Sequence, residues 1–150
     1  MKVAPREREQ MKLFGPSKFS ADGFMGDDPR TVEEIIEDDR HELARLGTTT
    51  EAIANKLAIV FMRADGAFGN PVELTHGVTA TIFEARGKIP SPFRGDGVFQ
   101  KGEVMVYEEG SKTTFFITRL GINLIKKHGF FQGHGSRYRI EPADVLRLCT

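Results

Sequence analysis

Leu46-Gly47-Thr48-Thr49-Thr50-Glu51 is the stretch that divides this chain. Upstream of it, Val32, Ile35, Ile36, Leu43 and Leu46 recur at helical spacing. Glu33, Glu37, Asp38 and Glu42 fall on the opposite side. Downstream, Ile53, Leu57, Val60, Phe61 and Ala64 make a second apolar face, broadened by Ile59 and Met62. Gly47 stops the first helix, because glycine adopts positive φ without steric cost. Thr31 with Glu34 forms the Thr-x-x-Glu capping box that opens it. Thr48 with Glu51 has the same spacing and predicts the start of a second helix, running to about Ala64. So short a turn joins the two as an αα-hairpin, with the more apolar second helix central.

Beyond this pair the period changes. Val72, Leu74, Val78, Ala80 and Ile82, with β-branched threonines between them, predict strands bent or broken at Gly77. Gly87 to Gly97 reads as a long loop holding Pro90 and Pro92. Val104 to Tyr107 and Thr113 to Thr118 predict an antiparallel hairpin, reversed by Gly110 in Glu108-Glu109-Gly110-Ser111. A short helix follows from Leu120 to His128, stopped by Gly129. Tyr138 to Ile140 reads as an edge strand, and Pro142 to Leu148 as a last helix with proline in its first turn. Helices first and strands after predict an α+β fold: an N-terminal arm and αα-hairpin on a small, mostly antiparallel sheet, with short C-terminal helices.

Residues 1–30 read as an irregular arm ahead of a single domain, 31–150. Pro5, Pro16 and Pro29 with Gly15, Gly23 and Gly26 break any periodicity. Phe14, Phe19 and Phe24 recur every five residues, which fits neither helix nor strand. Such an arm is pinned by its rings, either to its own core or to a second subunit as a homo-oligomer.

The 150 residues suffice for one domain with a core that needs no disulfide. Cys149, the single cysteine, has no internal partner and suggests a reducing compartment. The first residues lack the apolar segment of a signal peptide, and the longest apolar run, Leu57 to Met62, is too short for a membrane span. A cytoplasmic location without membrane partners is the expectation. Net charge is zero, which argues against nonspecific nucleic-acid binding and leaves specific recognition open. The charge is uneven, however. Residues 1–75 hold ten Lys/Arg against fourteen Asp/Glu, and residues 76–150 hold eleven against seven. The halves either attract each other within the fold or steer an anionic partner to the second half.

The chemically dense stretch is Lys126-Lys127-His128-Gly129-Phe130-Phe131-Gln132-Gly133-His134-Gly135-Ser136-Arg137-Tyr138-Arg139. Its glycines suit a nest of backbone amides or simply tight turns. Its Phe pair beside cations suits base stacking, but at least one ring is needed in the core. No phosphate-loop, dinucleotide or nucleophile-elbow pattern occurs, so the cofactor, if there is one, is unknown from the sequence. His128 and His134 are six apart with no carboxylate between them; they could join His76 in a zinc set, but nothing in the sequence demands it, so no metal is expected. Glu33, Glu34, Glu37, Asp38 and Asp39 read as a solvated helix face. The leading expectation is a binding module for an anionic small molecule or partner, held by Arg86, Arg94, His134, Arg137 and Arg139 where two basic loops meet. The alternatives are an enzyme using His128 or His134 as general base, and a protein–protein adaptor acting through the arm.

Overall fold

The computed structural model describes residues 23–148. Phe14, Phe19 and Cys149 lie outside them. The fold is α+β. Helices α1 (Val32–Leu46) and α2 (Thr50–Asp65) come first. Strands β1 (Val72–Thr75), β2 (Val78–Phe83), β5 (Glu103–Glu108) and β6 (Thr113–Thr118) form one antiparallel sheet in the order β1-β2-β5-β6. Helices α3 (Arg119–His128) and α4 (Pro142–Leu146) complete the chain. No helix among the described residues is long and apolar enough to cross a membrane.

Alternation along the strands decides which sheet face is covered. Val78, Ala80 and Ile82 on β2, Val104 and Val106 on β5, and Phe115 and Ile117 on β6 are all buried. They form one cluster with Ile53, Leu57, Val60, Phe61 and Ala64 of α2. Fully burying each large side chain contributes about 1.5–3 kcal/mol, so this layer is the main source of stability. A second cluster joins Val32 and Ile35 of α1, Leu120 and Leu124 of α3, and Phe24, Met25 and Phe130. The Phe pair spans both. Phe131 belongs to the first cluster and Phe130 to the second, and neither ring is accessible. Those two rings therefore serve the core and are not presented for base stacking.

Local details depart from the expected boundaries for identifiable reasons. The second capping box does not form. Gly47 ends α1 with φ 72°, and the N–H of Thr48 donates to Leu43 O at 3.0 Å. That bond draws Thr48 into the end of α1. Thr49 therefore caps α2, its hydroxyl accepting from the Ala52 N–H at 3.1 Å. In the β5–β6 turn the positive φ is at Lys112 (56°), not at Gly110.

Gly87 to Gly97 is not a structureless loop. Strands β3 (Lys88–Pro90) and β4 (Val98–Gln100) pair there as a separate two-stranded sheet. This small hairpin is an arm inserted between β2 and β5, which pair with each other as far as Phe83 and Glu103. Tyr138 to Ile140 is likewise no edge strand. The Arg139 N–H turns back to Ser136 O at 3.2 Å, and Tyr138 N–H reaches the Ser136 hydroxyl at 3.4 Å.

The glycines of the dense stretch are explained by close approach. Residues 23–28 cross the 132–136 loop with backbone against backbone. Gly133 N–H donates to Phe24 O at 2.8 Å, and Asp27 N–H donates to His134 O at 3.2 Å. Ser136 Oγ donates to Gly23 O at 3.1 Å. A methyl group on Gly133 would lie 2.2 Å from Met25 O, and one on Gly26 would lie 2.3 Å from Ser136 N. On Gly135 it would meet Asp27 Oδ1 at 2.1 Å. The nest-like amides are occupied too, since His134 N–H donates to Asp28 Oδ2 at 3.0 Å. The anion this loop holds is the chain's own carboxylate.

Replacing Gly133 by alanine should therefore cost about 1–3 kcal/mol, the usual range for overpacking. Gly47→Ala meets nothing within 4 Å and strains only its φ, so it should cost about 1 kcal/mol. Urea unfolding of both variants checks the order; equal losses would refute the close-packed crossing.

Candidate functional site

A mixed polar and apolar concavity lies where the β3–β4 arm leaves the sheet. β2 ends at Phe83 and β5 begins at Glu103, so the arm's base at Glu84, Ala85, Lys101 and Gly102 forms one wall. The start of α3 gives Thr118 and Leu120, and the crossing described above gives Phe24 and Gln132. Ile89 of the arm and Tyr138 complete a cavity of about 260 Å³. Phe24, Phe83, Ile89 and Leu120 make it apolar, while Glu103, Gln132, Thr118 and Tyr138 supply polar groups. Such a mixture is the usual make-up of a small-molecule pocket.

Local structure fixes each polar group. The Thr118 hydroxyl caps α3 by accepting from Gly121 N–H at 2.9 Å. Gln132 is buried with φ 72°, and its side-chain amide lies 3.0 Å from Ser136 Oγ. Gly102 is buried at φ 123°, a conformation that favours glycine. An alanine methyl there would lie 3.2 Å from Arg119 Nη1 and 3.4 Å from Glu84 Oε2. Glu103 Oε1 accepts from Arg137 Nη2 at 2.9 Å. The other oxygen, Oε2, is buried with no hydrogen-bond partner. Leaving a buried acceptor unsatisfied costs about 1–3 kcal/mol, more when charged. Burial pushes the Tyr138 phenol up from its ordinary value, and the negative charge of Glu103 adds to this, against a smaller pull from Arg137. The phenol therefore stays protonated, and a donor, at neutral pH.

A second polar cluster fastens the arm. Asp96 Oδ2 accepts from Ser91 Oγ and Asn123 Nδ2, each at 2.9 Å, and lies 2.8 Å from His128 Nε2. Phe93 stacks on the His128 ring with centroids 3.8 Å apart. Burial opposes ionisation of Asp96, but hydrogen bonds from His128, Ser91 and Asn123 outweigh it and hold the carboxyl below its usual range. The hydroxyl and the imidazole both address the same carboxylate oxygen, with no Ser–His contact. This geometry latches the arm to α3 and does not activate a nucleophile.

None of the residues expected from the sequence to bind or react lines this cavity. His128 is in the latch. His134 is 61% exposed, with Nε2 3.8 Å from Glu141 Oε1. Arg86 and Arg94 are exposed on the arm. Arg137 lies over the Phe116 ring, 4.0 Å from its centroid, while holding Glu103. Arg139 is 8% exposed and donates to both oxygens of Asp39, to Gln132 O and to Glu141. Asp39 itself is buried, which corrects its placement on a solvated helix face. The sequence did carry that signal, since Asp39 falls four residues after Ile35 and four before Leu43, inside the apolar stripe. Removing one member of such a pair strands the other charge, at about 3–5 kcal/mol.

The polar groups that do line the cavity include Glu103, Gln132, Thr118, Lys101 and Tyr138. They come from segments far apart in sequence, and each sits in an ordinary strand, cap or turn context. Among the described residues no group of three or more His, Cys, Asp or Glu side chains converges to hold a metal.

Ionisation of Tyr138 reports directly on Glu103. A raised folded value means that this group's contribution to stability is full below about pH 10 and is lost as pH rises through the folded value. Ultraviolet titration should show a late tyrosine phase that Tyr138→Phe removes and Glu103→Gln moves to lower pH. An unmoved phase in Glu103→Gln would show that the two groups do not interact. Comparison with known protein families, curated protein sequences and solved structures finds no match to this chain.

Proposed function

We propose that this protein is a small-molecule binding module, and that its ligand enters the cavity at the base of the arm with an apolar body and a polar end. The observation that carries the reading is Glu103 Oε2, a buried acceptor without a partner in the wall of a mixed polar and apolar cavity. Proteins rarely leave such an atom unsatisfied, and a ligand donor would satisfy it. The arm supports the reading, since the Asp96 latch fastens to α3 the hairpin that carries Ile89, a lining residue.

The alternative, an anionic ligand bound by Arg86, Arg94, His134, Arg137 and Arg139, has weaker support. Two of its guanidinium groups already bind carboxylates. The general-base alternative is weaker for a related reason, because the cavity lining contains neither His128 nor His134.

Fragment screening by amide chemical shifts tests the reading. Hits should perturb Lys101, Gly102, Thr118 and Gln132, and Ala85→Trp, which fills the mouth, should abolish them without unfolding the protein. Hits confined to Arg86, Arg94 and His134 would overturn the proposal in favour of the anionic site.

A further inference from the structure

We infer that the polar end of the ligand is a protonated amine, held by the Glu103 carboxylate. The inference rests on the cavity being the binding site and goes on to name the chemistry the cavity selects.

Four features converge on it. First, Glu103 offers a negatively charged oxygen with no partner, while its other oxygen is taken by Arg137. The terminal torsion of a glutamate is soft and Glu103 lines the cavity, so a turn of the carboxylate is the step that would present Oε2 to a ligand. An ammonium donor then makes a charge-assisted hydrogen bond, stronger than a neutral one. Second, Glu84 supplies another carboxylate to the same lining, against the single ammonium of Lys101. An anionic head would meet two negative charges. Third, Phe24, Phe83 and Tyr138 place three aromatic rings around the cavity, and ring faces attract cations. Fourth, Arg137 is already bound to Glu103 and lies over Phe116, so it is engaged away from any incoming anion. The apolar side chains of Ile89 and Leu120 fit the hydrocarbon body of an alkyl- or aryl-amine.

Three probes of nearly equal shape separate the outcomes: benzylamine, benzyl alcohol and benzoate. Each is titrated into the intact chain at neutral pH and followed at the amides of Lys101, Gly102 and Thr118. Benzylamine should bind at least about tenfold more tightly than benzyl alcohol, and benzoate should bind least. Glu103→Gln should erase the preference for the amine over the alcohol. Glu84→Gln, which does not disturb the Arg137 pair, should reduce the preference by a smaller factor, and serves if Glu103→Gln fails to fold. If benzyl alcohol matches benzylamine in the same cavity, or benzoate binds best, the amine inference is overturned while the binding site stands. If no probe shifts these amides, both fall.

Discussion

Two glycine-rich segments pass each other with no room for a side chain, and much of the molecule is arranged around that crossing. Residues 23–28 and 132–136 share backbone hydrogen bonds, and Gly26, Gly133 and Gly135 each sit where a methyl group would strike the opposite strand. The crossing does three things at once. It brings Phe24 and Met25 into the second core cluster. It orders the turn from which Arg139 reaches Asp39 on α1, so residues a hundred apart form a buried ion pair. It also sets Gln132 and Phe24 side by side in the wall of the cavity.

The cavity is a consequence of topology. β2 and β5 are neighbours in the sheet but are separated in sequence by the arm. A hairpin that leaves a sheet and returns to it must open a notch at its base. Here the notch is bounded by the start of α3, because Thr118 ends β6 and caps α3 in the same residue. Asp96 then keeps the arm close to α3 by gathering hydrogen bonds from Ser91, Asn123 and His128. The charged residues in the wall follow from the same geometry. Glu103 is the first residue of β5, where the alternation that buries Val104 turns the preceding side chain away from the main core.

What the sequence reveals and what it hides differ by the range of the interaction involved. The helices, their stops at Gly47 and Gly129 and the β5–β6 hairpin depend on neighbours within a few residues, and periodicity exposes them. Thr48 shows the limit even there, since two adjacent caps competed for one threonine and the helix end took it. The arm was hidden because its strands are three residues each and one contains proline. The dense stretch shows a different limit. Its cations, rings and glycines look like a site, while within the fold Arg139 pairs with Asp39, the Phe pair joins the two core clusters, and Gly133 and Gly135 serve the crossing. Glu103 carries no local mark at all, because its meaning depends on where the arm leaves the sheet.

Amide hydrogen exchange at the crossing is the most direct test of this account. The N–H groups of Gly133, His134 and Asp27 are bonded to Phe24 O, Asp28 Oδ2 and His134 O, respectively. If the crossing organises the fold, these amides exchange as slowly as those of Val104 and Val106 in the central strand, through global unfolding alone. Exchange near the rate of an exposed loop would contradict the account, because the segments would then be separating while the sheet stays intact.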